Sequence, residues 1–100
     1  MPNIQVIEGS VQTLVLENNV EYHCADAVHE LNITNFTPAA DGKSSIWSIQ
    51  FEAGEDFKLV MPETTKWAIA APIFVPGVVY WFTFVPLVNG KVLGVWVSDE

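Results

Sequence analysis

Apolar residues along this chain alternate with polar ones over short runs and seldom keep helical spacing, which is the pattern of half-buried strands. Ile4 to Ile7 predicts a short strand closed by Glu8-Gly9-Ser10. Val11 to Glu17 and Val20 to Cys24 predict a hairpin turned by Asn18-Asn19, in which Val20, Tyr22 and Cys24 alternate with Glu21 and His23. After a weak break at Asp26-Ala27, His29, Leu31 and Ile33 alternate with Glu30, Asn32 and Thr34. Thr37 to Ser44, with Pro38 and Asp41-Gly42, is the most loop-like segment. The cleanest alternation follows it: Trp47, Ile49 and Phe51 point one way, and Ser48, Gln50 and Glu52 the other. Gly54-Glu55-Asp56 predicts a turn into a strand that keeps Phe57, Leu59 and Met61 in phase and ends at Pro62. Lys66 to Ala71 is a short extended piece, and Ile73 to Gly77 leads into the last unit.

That unit, Val78 to Ser98, is two long apolar strands folded back through Asn89-Gly90. Asn-Gly between strand-like runs is the strongest short-range hairpin signal, because both residues tolerate positive φ. Pro86 decides the register. A two-residue loop would place it in a hydrogen-bonded pair with Leu93, where its missing N–H is needed. A type I turn over Leu87, Val88, Asn89 and Gly90, with Gly90 as a left-handed bulge residue, moves Pro86 to a tolerant position. One face then carries Trp81, Thr83, Val85, Leu93, Val95 and Val97. The other carries Tyr80, Phe82, Phe84, Val92 and Trp96, with Phe84 over Gly94. Both faces are apolar, so one packs on the chain's own core and the other on something else, for which a second copy is the simplest candidate. The sequence leaves open which face is which; the face of Trp81, Thr83, Val85, Leu93, Val95 and Val97 is the candidate subunit interface.

About eight short strands separated by turn signals, with no helix of convincing length, predict one all-β domain over residues 1–100. The expected form is a small antiparallel β-sandwich closed by the C-terminal hairpin, a jelly roll being one such arrangement. Composition strengthens the case for association. Charged residues are 16% and hydrophobic residues 50%, against roughly 25% charged in an ordinary soluble domain. A net charge of −8 repels phosphate backbones and argues against a nucleic-acid partner. Trp67 to Gly90 is uncharged and long enough to span a bilayer, but Pro72, Pro76, Gly77 and Pro86 interrupt it, so strands rather than membrane insertion are expected. The start, MPNIQVIEGS, carries no secretory pattern. Cys24 is alone and reads as a small buried residue from a reducing compartment.

Candidate chemistry is sparse. His23 and His29, expected on neighbouring strands near Glu21 and Glu30, could form a metal or acid–base pair, but their phases differ. Glu52, Glu55 and Asp56 crowd one turn without the spacing of a calcium loop. No nucleophile elbow or phosphate-cradling motif occurs, and neither an enzyme nor a cofactor is expected. Of four tryptophans, Trp47 is in phase with the core, and Trp81 and Trp96 fall on opposite hairpin faces. Trp67, beside Lys66, is the candidate exposed ligand contact, suited to stacking on a sugar.

The second half resembles a short module of tailed-bacteriophage virion proteins, found at the ends of fibre or head-decoration proteins. The matching residues are Phe57-Lys58-Leu59-Val60-Met61, Pro62, Lys66-Trp67, Pro72, the Pro76-Gly77 turn with Tyr80 after it, and the closing strand with Gly94 and Trp96, roughly residues 46–100. The resemblance implies a β-sandwich virion protein made in the host bacterial cytoplasm and working as a homo-oligomer, with a trimer favoured, attached to capsid or fibre proteins. A host glycan is the further partner to consider. No long shaft precedes the module, which favours a capsid-decoration or head-fibre-like subunit over a fibre tip. The module offers no catalytic residues.

Overall fold

The computed structural model describes residues 3–38 and 45–100. Among them are eight strands and no helix: β1 (Asn3–Ile7), β2 (Val11–Glu17), β3 (Val20–Cys24), β4 (Val28–Thr37), β5 (Trp47–Val60), β6 (Thr65–Trp67), β7 (Val79–Pro86) and β8 (Val92–Ser98). The chain is all-β, as the alternation predicts. Most of the loop expected over Thr37–Ser44 lies outside the described residues.

The pairing departs from the expected antiparallel scheme. β1, β3 and the first half of β5 run parallel in a front sheet, and β2, β4 and the second half of β5 run parallel in a back sheet. The chain therefore coils, crossing between the sheets at each corner. Only β5–β7–β8 is antiparallel, and the short β6 closes the front sheet parallel to β8, giving the order β1-β3-β5-β7-β8-β6. Parallel neighbours rule out the jelly roll, which is an antiparallel fold. The hairpin expected between Val11–Glu17 and Val20–Cys24 does not form. Asn18-Asn19 does reverse the chain, with Asn19 at φ 63°, but both residues bond to the next coil. Asn18 Oδ1 accepts from Ile46 N at 2.9 Å, and Asn19 N donates to Ile46 O at 3.0 Å. A turn signal reports that the chain reverses, and says nothing about whether both arms stay in one sheet.

The opposite corners stack in the same way. Gly9 N donates to Asp26 Oδ2 at 2.9 Å and His29 N to Ser10 O at 2.7 Å. The buried Gln12 amide donates to the carbonyls of Glu8 at 2.7 Å and Gly9 at 3.0 Å, so an inward-facing polar side chain is satisfied by the corner it closes. Gly54-Glu55-Asp56, expected as a turn, is the place where β5 changes sheets. Pairing jumps from Val28–Ala53 to Glu30–Lys58, Asp56 sits at φ 52°, and the His29 ring lies so close over Gly54 that a Cβ there would be 2.9 Å from it. The chain bulges and continues instead of reversing.

One core joins the two sheets. Trp47, Ile49 and Phe51 of β5 and Tyr80, Phe82 and Phe84 of β7 face Leu31, Ile33 and Phe36 of β4. Phe36 packs 5.0 Å from Trp47 and 5.1 Å from Phe84, centroid to centroid. Phe57, Leu59 and Met61 close the back side in the phase expected of them. Trp47 Nε1 donates to Thr37 O at 2.9 Å, and Tyr80 OH donates to Ile73 O at 2.9 Å while accepting from Val75 N at 2.8 Å. The last bonds tie the Ile73–Gly77 connection to the core. Among the described residues no helix is long and apolar enough to cross a membrane.

The C-terminal hairpin has the register that Pro86 requires. Pro86 lies opposite Val92 and Phe84 opposite Gly94. Gly90 N donates to Leu87 O at 3.1 Å, Leu87 N donates to Lys91 O at 2.7 Å, and Gly90 is left-handed at φ 83°.

Candidate functional site

The register of the hairpin also decides its faces. Tyr80, Phe82, Phe84 and Val92 are buried, so their face is the core and the face of Trp81, Thr83, Val85, Leu93, Val95 and Val97 is turned outward. Trp81 is 43% exposed, Val95 48% and Val97 57%, with Thr83, Val85 and Leu93 half-buried between them.

Parallel pairing extends this face across the whole front sheet. Ile4, Glu21, Ser48, Thr83 and Val95 form one cross-strand row, and Val6, His23, Gln50, Trp81 and Val97 the next. Ile4 and Val6, each 63% exposed, therefore belong to the same surface as Trp81, a grouping that sequence reading missed. Their alternation was visible. The partnership was not, because it runs through β3 and β5. The result is an apolar band at each side and a polar stripe of Glu21, His23, Ser48 and Gln50 between. Within the stripe His23 Nε2 lies 2.5 Å from Glu21 Oε2, both side chains part-buried. Trp81 stands between two shallow hollows, one of about 330 Å³ lined by Glu21, Ser48 and Thr83, and one of about 200 Å³ lined by Gln50, Val97 and Asp99.

Trp67 is elsewhere. It faces the core side of β6, edge-on to Phe82 at 5.1 Å and seated over Gly94, whose added Cβ would lie 3.0 Å from the indole. The exposure expected for it beside Lys66 is corrected: the missing side chain at Gly94 makes a notch that takes the ring, and Trp81 is the more open indole. Trp96 is on the inner face, its Nε1 donating to Ala70 O at 2.9 Å.

The two histidines are not neighbours, since His23 lies on β3 in the front sheet and His29 on β4 in the back sheet. His29 Nδ1 is 2.8 Å from Glu55 O, which fixes its ring over the β5 bulge. Among the described residues no three His, Cys, Asp or Glu side chains converge in a way that would hold a metal ion, the acidic group around Glu52, Glu55 and Asp56 included. Cys24 ends β3, and burial pushes its thiol up from 9.0 to about 11. A shift of that size leaves about a hundredfold less thiolate at pH 8. Native Cys24 is accordingly expected to react with iodoacetamide far more slowly than in the unfolded chain, as timed by mass spectrometry; equal rates would mean an open thiol.

Comparison with family models, with curated proteins and with solved structures finds nothing that matches this chain.

Proposed function

We propose that the chain is a non-enzymatic structural subunit that works by association, a bacteriophage virion component of the capsid-decoration or head-fibre-like kind, and that its front face meets a second copy and capsid or fibre proteins. The observation that carries this reading is the uncharged cluster of Trp81, Val95 and Val97, left half open to solvent on a chain of net charge −8. Size favours use of the whole face. At about 4.8 Å per strand and about 20 Å of strand length, β7 and β8 alone offer on the order of 200 Å². The six-stranded face offers on the order of 600 Å² per copy, enough to pass the roughly 1,000 Å² total of a specific interface. Ile4 and Val6 are then part of the contact.

The test is Val95→Asp. Val95 lies outside the core, so the variant is expected to fold with a melting temperature close to that of the parent. Light scattering is expected to show its mass falling to a smaller multiple of 11.1 kDa than the parent's. A parent that is already monomeric, or a variant that keeps the parent's mass, overturns the reading. The virion setting is tested separately by the flanking genes: capsid and portal genes are expected, and a metabolic operon would count against it. One observation favours a second reading, a glycan-binding face. Trp81 separates two hollows whose walls carry Glu21, Ser48 and Gln50, groups able to bond sugar hydroxyls. Glycan-array binding lost in Trp81→Ala, at unchanged native mass, would favour that alternative.

A further inference from the structure

The parallel coil leaves strand edges open, and they differ in how well they are guarded. β6 is three residues long, carries Lys66 and lies between Pro62 and Pro72. In the back sheet, the open side of the second half of β5 carries Lys58 and stops at Pro62, and β2 at the other edge has its register broken by a bulge between Leu14 and Val15 and ends on the charged Glu17. Short length, lysine and proline are the usual protections of an edge. β1 is the least guarded: apart from Pro2 ahead of it, Asn3–Ile7 contains no charge, proline or glycine, and Asn3 to Val6 are all exposed.

The unpaired groups on β1 can be named. Asn3 N donates to Asn19 O at 3.2 Å, and Ile7 O accepts from Ala25 N at 2.8 Å, so Asn3, Gln5 and Ile7 turn their main-chain groups toward β3. Successive residues of a strand point these groups to opposite edges. Ile4 and Val6 therefore aim theirs at open solvent.

We infer that this edge is a second self-association surface, at which β1 of one copy pairs antiparallel with β1 of another across a two-fold axis at Gln5. Antiparallel direction follows from the two-fold relation between identical copies. With Gln5 on the axis, Ile4 of each copy faces Val6 of the other in a hydrogen-bonded pair, so the four free N–H groups and their carbonyls are satisfied together. The same register sets Ile beside Val on the outer face and the two Gln5 amides side by side on the inner one. A second copy is the fitting occupant because the free groups of β1 are arranged symmetrically about Gln5, one N–H and one carbonyl each at Ile4 and Val6, so a two-fold copy supplies a partner for every one of them, and the strand carries no charge to add to the repulsion between chains of net charge −8. Such pairing continues the front sheet through both copies and leaves the Trp81 face free, so it is independent of the function proposed above.

Residue-resolved amide exchange on the full chain tests it. The Ile4 and Val6 amides are expected to be protected at high protein concentration and to lose that protection on dilution, while Gln5 stays protected throughout. Val6→Pro removes a free-edge N–H without touching the bonds to β3, and is expected to halve the native mass while keeping a cooperative melt. Should that variant not fold, the concentration dependence of the Ile4 and Val6 amides in the parent chain decides by itself. Ile4 and Val6 amides that exchange as fast as loop amides at every concentration, or a folded edge variant with the parent's mass, overturn the inference. Val95→Asp is expected to leave the Ile4 and Val6 protection in place, so failure of the edge and failure of the face are seen separately.

Discussion

Phe82→Ala is expected to remove most of the domain's stability. Its ring is fully buried at the meeting point of the aromatic core, edge-on to Phe51 at 5.1 Å and to Trp67 at 5.1 Å, with Phe84 at 5.9 Å and Phe74 at 6.1 Å. β7 pairs on both sides, so the backbone around residue 82 has little freedom to collapse into the space. Truncating such a ring costs about 3–5 kcal/mol, against a typical total of about 5–15 kcal/mol. A chain of this size loses about 4–8 °C in melting temperature per kcal/mol, so a fall of at least about 12 °C in a near-ultraviolet melt is expected. Trp81→Ala, one residue away on the outer face, is the control and should shift the midpoint by only a few degrees. A larger loss at Trp81 than at Phe82 would mean that the faces have been assigned the wrong way round, and equal losses would mean that Trp81 is as enclosed as Phe82.

That contrast also separates what the sequence discloses from what it hides. The hairpin register was legible because it depends on local chemistry: Pro86 cannot donate, Gly90 accepts a left-handed φ, and together they leave one register. The grouping of Trp81, Thr83, Val85, Leu93, Val95 and Val97 on one face follows from that register, while the burial of Tyr80, Phe82, Phe84 and Val92 is what shows that face to be the outward one. The coil was not legible. β1 meets β3 through Asn3–Val20, 17 residues apart, while β3 meets β5 through Glu21–Ser48, 27 residues apart, so no fixed period marks the stacking. β2 and β3 each have one apolar phase, and that phase serves a hairpin or a pair of stacked coils equally well. What selects the coil is Asn18 and Asn19 bonding to Ile46, a partner no local rule identifies. Trp67 was misplaced for a related reason: its neighbour Lys66 suggests a wet face, but the notch that receives the indole lies 27 residues further on, at Gly94.

Gly94 itself carries the second large effect. A Cβ there would lie 2.9 Å from Phe84 Cε1, closer than real Cβ atoms come, and 3.0 Å from Trp67 Cε3, tighter than most real contacts. Neither ring can move away cheaply. Phe84 is fully buried against Phe36 at 5.1 Å, and Trp67 is held edge-on to Phe82. Gly94→Val adds two methyl groups to a clash that one carbon already creates, and is expected to cost about 3 kcal/mol, the upper end for overpacking. Gly90→Ala is the useful contrast, since nothing lies within 4 Å of its Cβ position and only the φ of 83° resists it, a cost of about 1–2 kcal/mol. The cause can then be isolated with a second substitution. In a Trp67→Ala background half of the clash is gone, so Gly94→Val should cost clearly less there, with a coupling of about 0.5–3 kcal/mol by denaturant titration. Equal costs in the two backgrounds would mean that the indole does not rest on the glycine, and the reason for its burial would have to be sought elsewhere on β8.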